Sequence, residues 1–196
     1  MMWWTVTIVW LASAVLLSDM VSFCTGQATS EQTSPTSGKL SFKTPDLSDE
    51  EAHSLHLPTA LKCDACRILA YSIRESFDEA HRKRPSLKRL PESDLIDILE
   101  NKCDQQWENV GVKEIEGVKR LSGPGLETSE VPGIMQGGGK WPYRINERCG
   151  YYVGEYGEDE IYNIYKKNPD KFEKWMCYGK DGDCTAKNKI KKKTEL

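Results

Sequence analysis

The sequence predicts an all-α domain, stapled by disulfides and interrupted by a long glycine-rich loop between its second and third helices. Three observations carry that prediction. Apolar residues recur at three- and four-residue spacing in four separate segments. Six cysteines remain once a cleavable N-terminal stretch is set aside, and they fall on or beside those segments. Between the second and third segments, Glu108 to Pro142 holds eight of the chain's 15 glycines.

The chain opens on an apolar run, Trp3 to Leu17, followed by small residues in Ser22-Phe23-Cys24-Thr25-Gly26. This fits a secretory signal peptide over residues 1–26, with Cys24 and Gly26 at the minus-three and minus-one places of the cleavage site. The basic residue usual at such a start is missing. A membrane anchor fails on length, because Asp19 interrupts before about 20 apolar residues accumulate, and no later segment is long enough. No membrane span is expected. Residues 27–56 follow as a flexible leader, Gln27 to Leu47 being rich in Ser, Thr, Gln and Pro. Asp46, Asp49, Glu50 and Glu51 read as a solvated face or a helix start. His53 and His56 read as exposed polar residues, with no cysteine nearby to complete a metal site.

The folded domain is expected over residues 57–186. In its first helix Cys66, Leu69, Ala70, Ile73, Phe77 and Ala80 form one apolar stripe, closed by Pro85. In the second, Ser93 is the expected cap, and Leu95, Ile98, Leu99, Cys103 and Trp107 share a face. The third runs from about Arg144 to Tyr165 with Ile145, Cys149, Tyr152, Val153, Tyr156, Ile161 and Ile164. Gly150, Gly154 and Gly157 each cost it roughly 1 kcal/mol against alanine, so packing holds it or it breaks near Gly157. The fourth is short: Asn168 caps it, Pro169 takes the first helical position, and Gly179 ends it. In the glycine-rich loop, Val110, Val112, Ile115, Val118 and Leu121 suit short extended pieces. A connection this long is a mobile surface loop or a partner contact.

Cys63, Cys66, Cys103, Cys149, Cys177 and Cys184 in an oxidising compartment read as three disulfides, among 15 possible pairings. If the first and last segments run antiparallel, the earlier cysteine meets the later one. That gives nested Cys63–Cys184 and Cys66–Cys177 bonds, with Cys103–Cys149 clasping the middle helices. A Cys63–Cys66 bond is the alternative, and would make the C-x2-C a redox pair.

Residues 187–196 form a basic tail ending in Lys193-Thr194-Glu195-Leu196, which resembles the retrieval signal of lumenal endoplasmic-reticulum proteins. With an export signal at the other end, the expected address is the endoplasmic-reticulum lumen, with partial secretion, and the tail's partner is the retrieval receptor. The formal charge of −3 and the lack of a basic stripe interleaved with aromatics argue against nucleic acid. Zinc would require reduced thiols, and Glu155, Glu158, Asp159 and Glu160 lack calcium-loop spacing, so no metal or other cofactor is expected.

C-x2-C near the start, one cysteine on each middle helix and C-x6-C near the end resemble the saposin-like fold. Cys63-Asp64-Ala65-Cys66-Arg67, Val118-Lys119-Arg120-Leu121-Ser122-Gly123-Pro124-Gly125-Leu126 and Gly154-Glu155-Tyr156-Gly157-Glu158-Asp159-Glu160-Ile161-Tyr162 are similar to the canopy-type lumenal proteins. The resemblance spans roughly Leu57 to Cys184 and the retrieval tail. It implies a non-enzymatic folding factor or co-chaperone that assists assembly and secretion of immunoglobulin heavy and light chains alongside lumenal chaperones. Two alternatives stand beside it: a thiol–disulfide oxidoreductase using Cys63 and Cys66, and a lipid-binding saposin-like protein. For a binding factor, the expected contact surfaces are the loop through Lys119, Arg120 and Leu126, and the acidic, tyrosine-rich face from Tyr156 to Tyr162. Tyr152 and Tyr156 serve equally well as core. On this reading, replacing Lys119 and Arg120 with Glu weakens binding and leaves the thermal melt nearly unchanged.

Overall fold

The structure, a computed structural model, describes residues 42–180 and 182–185. The signal peptide, the leader as far as Ser41, and the basic tail with Lys193, Thr194, Glu195 and Leu196 lie outside the described residues.

Among the described residues six α-helices and three short strands follow in chain order: α1 (Asp49–His53), α2 (Lys62–Lys83), α3 (Glu92–Cys103), β1 (Gly111–Ile115), β2 (Val118–Ser122), β3 (Gln136–Gly137), α4 (Trp141–Tyr156), α5 (Glu158–Lys167) and α6 (Phe172–Tyr178). The domain is mostly helical and disulfide-stapled, consistent with the saposin-like fold. α2 is its axis. It packs against α3, α4, α6 and β2, so its buried face is wider than one stripe: Ala65 and Ile68 join Cys66, Leu69, Ala70, Ile73 and Phe77 inside.

α1 lies within the stretch expected as leader. Ser48 caps it with a full capping box: its hydroxyl accepts from the Glu51 N–H, and the Glu51 carboxylate accepts from the Ser48 N–H. Pro91, not Ser93, precedes α3, whose helix ends at Cys103. Trp107 therefore lies beyond it, in a left-handed conformation with φ 47°, its indole N–H donating to Asn146 Oδ1 at 2.6 Å. The third periodic segment is two helices: Gly157, at φ 75°, breaks it between α4 and α5. Asn168 accepts from the Lys171 N–H and caps a 3-10 turn, Pro169–Lys171, that leads into α6.

The glycine-rich connection carries a three-stranded antiparallel sheet in the order β2-β1-β3. β1 and β2 form a hairpin, Ile115 opposite Val118, around Glu116-Gly117. Both turn residues have positive φ, 51° and 77°, as a tight two-residue hairpin requires. Val110, Val112 and Leu121 enter the core.

Three disulfides join Cys63 to Cys184, Cys66 to Cys177 and Cys103 to Cys149. The first two nest across the start of α2, the end of α6 and the segment beyond it. The return of that segment needs Gly182, because an added Cβ there would sit 2.2 Å from the Cys177 carbonyl oxygen. The third joins the end of α3 to α4.

Candidate functional site

The C-x2-C stretch opens α2, and helical geometry sends its side chains in different directions. Cys63 and Cys66 each leave for a partner more than 100 residues away, with separations of 121 and 111. Between them, Ala65 is buried in the core and the Asp64 carboxylate is buried against β2. Asp64 accepts from Arg120 Nε and Nη2, both at 2.7 Å, and from the Leu121 N–H at 3.1 Å. Hydrogen bonding to Asp64 raises the Arg120 guanidinium above its already high range. Arg67 donates to Glu173 and pairs with Glu127, each at 2.9 Å, and Glu127 also accepts from Arg120 at 3.0 Å. Glu127's own backbone N–H, with Arg120 and Arg67, holds the exposed carboxyl below the usual range against a small desolvation cost. Reactive thiols are accessible and stabilised as thiolates. Here Cys66 and Cys177 are fully buried and both motif sulfurs are in bonds to the far end of the domain.

Lys119, Arg120 and Leu126 do not form an open recognition loop. Leu126 is buried, Arg120 holds Asp64, and Lys119 pairs with Glu51 across the sheet and α1. Burial alone would raise the Glu51 carboxyl, but hydrogen bonds from Lys119 and Ser48 bring it below its usual range. The expectation that charge reversal at Lys119 and Arg120 leaves the melt nearly unchanged is therefore corrected: Arg120→Glu would set a second carboxylate beside the buried one of Asp64.

The tyrosine-rich face is largely inside. Tyr152 and Tyr162 are fully buried and Tyr156 is half-buried, stacked on Tyr152 and against Trp175. Tyr152 donates to Asp183 Oδ2 at 2.5 Å, and Arg148 donates to the same carboxylate at 2.7 Å while lying over the rings of Tyr151 and Tyr152. Burial and the Asp183 contact push the Tyr152 hydroxyl well above its usual value. The segment carrying Cys184 is thus pinned by a carboxylate as well as by sulfur. Glu155, Asp159 and Glu160 remain exposed.

With that geometry in view, three curated relatives, each named Marginal zone B- and B1-cell-specific protein, can be set beside the chain. The mouse protein is 39% identical over 153 residues, covering 74% of this chain and 81% of its own length. The human protein is 38% identical over 155 residues, covering 76% and 82%, and the bovine one is 41% identical over 155 residues. The chain belongs to the marginal zone B- and B1-cell-specific protein family. No family model matches the sequence. The relatives' names carry no enzymatic activity.

In this family member three features escaped sequence reasoning. Lys113 is buried, and its ammonium donates to the carbonyls of Thr128, Ser129 and Val131 at 3.0, 3.3 and 2.9 Å, closing the turn after β2. Arg144 is also buried. It lies over the Trp141 ring at 4.4 Å and donates to the carbonyls of Glu51 and Ser54 at the end of α1. Burial lowers its guanidinium below the usual range. Between α1, residues 135–140 and the start of α4 lies a groove of about 430 Å³, with Leu47, Met135 and Trp141 among its lining residues. None of these shows in the sequence, because a lysine in a strand and an arginine in a helix read as solvated until their partners fold onto them. Among the described residues no cluster of His, Cys, Asp and Glu could hold a metal ion, and no helix is long and apolar enough to cross a membrane.

Proposed function

We propose that this family member is a folding factor of the endoplasmic-reticulum lumen, assisting assembly and secretion of immunoglobulin heavy and light chains alongside lumenal chaperones. The observation that carries this reading is the disposition of the C-x2-C motif. Both cysteines are tied across to the end of the domain, and the residues between and after them are tied to the core, β2 and α6. Such a motif is a clasp for a rigid binding platform, not a dithiol poised for exchange. The resemblance to canopy-type proteins, the export signal and the Lys193–Leu196 tail support the address. The relatives' names, which refer to B cells, support an immunoglobulin client.

The test is a pull-down from antibody-secreting cells after a thiol-blocking quench, resolved with and without reductant. Recovery of immunoglobulin chains and chaperones without covalent linkage is expected. Mixed disulfides through Cys63 or Cys66 would overturn the reading in favour of an oxidoreductase.

A further inference from the structure

We propose that the connection from α2 to α3 is a docking ridge for an acidic peptide segment of a partner protein. The inference stands apart from the folding-factor reading, since it needs only the charge and geometry of this ridge. The chain has 27 basic and 30 acidic residues. Residues 82–89 hold five of the basic ones (Arg82, Lys83, Arg84, Lys88 and Arg89) and no acid, so the remaining 22 against 30 leave the rest of the chain at −8. This is a segregated charge, not an average one, and such segregation steers partners of opposite sign.

Helix electrostatics account for only part of it. Arg82 and Lys83 sit in the last turn of α2, where cations complement the macrodipole, but Lys88 and Arg89 lie beyond the helix. Arg82, Lys83, Lys88 and Arg89 are exposed. The backbone beneath them is held: Leu90 is buried and its N–H donates to the Tyr162 hydroxyl at 2.9 Å. Arg89 lies over the Tyr162 ring at 5.1 Å and pairs with Asp159 at 2.7 Å. The backbone that carries Lys88 and Arg89 is therefore ordered before a ligand arrives, which lessens the ordering cost of binding.

The chemistry the ridge accepts is carboxylate. Lys83 pairs with Glu79, Arg84 with Asp94 and Arg89 with Asp159. Arg82 and Lys88 form no salt bridge or hydrogen bond with any described residue, and Lys102 adds a charge beside Glu79. Bases would need an exposed aromatic platform. The rings here pack on one another: His81 stacks on Tyr162 and Tyr165, which are tilted against each other.

The test uses the full mature chain and a fluorescein-labelled peptide of alternating Glu and Gly, titrated by anisotropy at low and physiological salt. The variant is Arg82→Glu with Lys88→Glu, both exposed and without a salt bridge; an acid in the last turn of α2 beside Glu79 should lower the melt only slightly, and binding is read on the folded protein. A charge-matched control, Lys171→Glu with Lys174→Glu, alters exposed lysines near α6. The expected result is salt-sensitive binding by the wild type, at least tenfold weaker in the ridge variant and within twofold in the control. The proposal is overturned if the wild type does not bind. It is also overturned if all three proteins bind alike, as they would through the lysines of residues 187–193. Ridge-dependent binding of phosphatidylserine vesicles without peptide binding would likewise overturn it, in favour of a lipid surface.

Discussion

Replacing Arg120 with Gln removes the main partner of a carboxylate that has nowhere else to turn. The Asp64 side chain is 5% exposed, while that of Arg120 is 34% exposed. Losing the guanidinium leaves Asp64 with the Leu121 N–H at 3.1 Å as its remaining contact. A buried ion pair broken from one side costs about 3–5 kcal/mol, because the stranded charge is poorly solvated. The half-open side from which Arg120 enters lets water reach Asp64 in its absence, so the lower end, about 3 kcal/mol, is expected. For a domain of this size that corresponds to roughly a 10 °C fall in melting temperature. Asp64→Asn is milder, about 1–2 kcal/mol, since Arg120 keeps Glu127 and solvent. The double variant should recover at least about 1 kcal/mol relative to the sum of the singles, because it strands no charge. Calorimetric melts of the oxidised proteins, with peptide mapping to verify the three disulfides, supply the cycle. A melt for Arg120→Gln within about 2 °C of wild type, or strict additivity, would refute the reasoning.

Three further outcomes are expected. Replacing Cys103 and Cys149 together with Ser removes a closure of sequence separation 46. It should destabilise by up to about 4 kcal/mol in the loop-entropy picture, read as a lower urea midpoint. Lys113→Met takes the side-chain donor from the carbonyls of Ser129 and Val131, and leaves that of Thr128 with the Ser122 hydroxyl alone, so it should cost about 2 kcal/mol, with faster hydrogen exchange in residues 127–131. Burial, followed by the nearby Lys166, holds His81 below its usual value. The unfolded chain then takes up the proton first, so stability is complete above the ordinary histidine value of about 6.5 and falls as pH drops below it. His81→Gln should flatten that arm between about pH 7.5 and 5 in urea titrations; an equal slope in both proteins would show that His81 is not its source.

Much of the helical frame was legible along the chain. The stripe Cys66, Leu69, Ala70, Ile73 and Phe77 is buried, Gly157 interrupts the third periodic segment, and Asn168-Pro169 opens the turn into α6. The extended pieces around Val112 and Leu121 were legible too, but their pairing into a sheet was not, since it depends on a tight turn at Glu116-Gly117 with no glycine at its first position. Ser93 resembled a cap and is not one, because Pro91 had already set the chain's entry into α3.

The sequence by itself determined the main apolar stripes, the helix breaks at glycine and proline, and the order in which cysteines arrive, because periodicity, glycine and proline act within a few residues of themselves. Only the tertiary structure decided the fate of the charged groups. Asp64 and Arg120 are 56 residues apart, Glu51 and Lys119 are 68 apart, and Arg144 reaches a carbonyl 90 residues upstream. A lysine or arginine reads as solvated in any local window. Whether it becomes a contact surface or an internal strut depends on which distant carboxylate or carbonyl the folded chain brings to it.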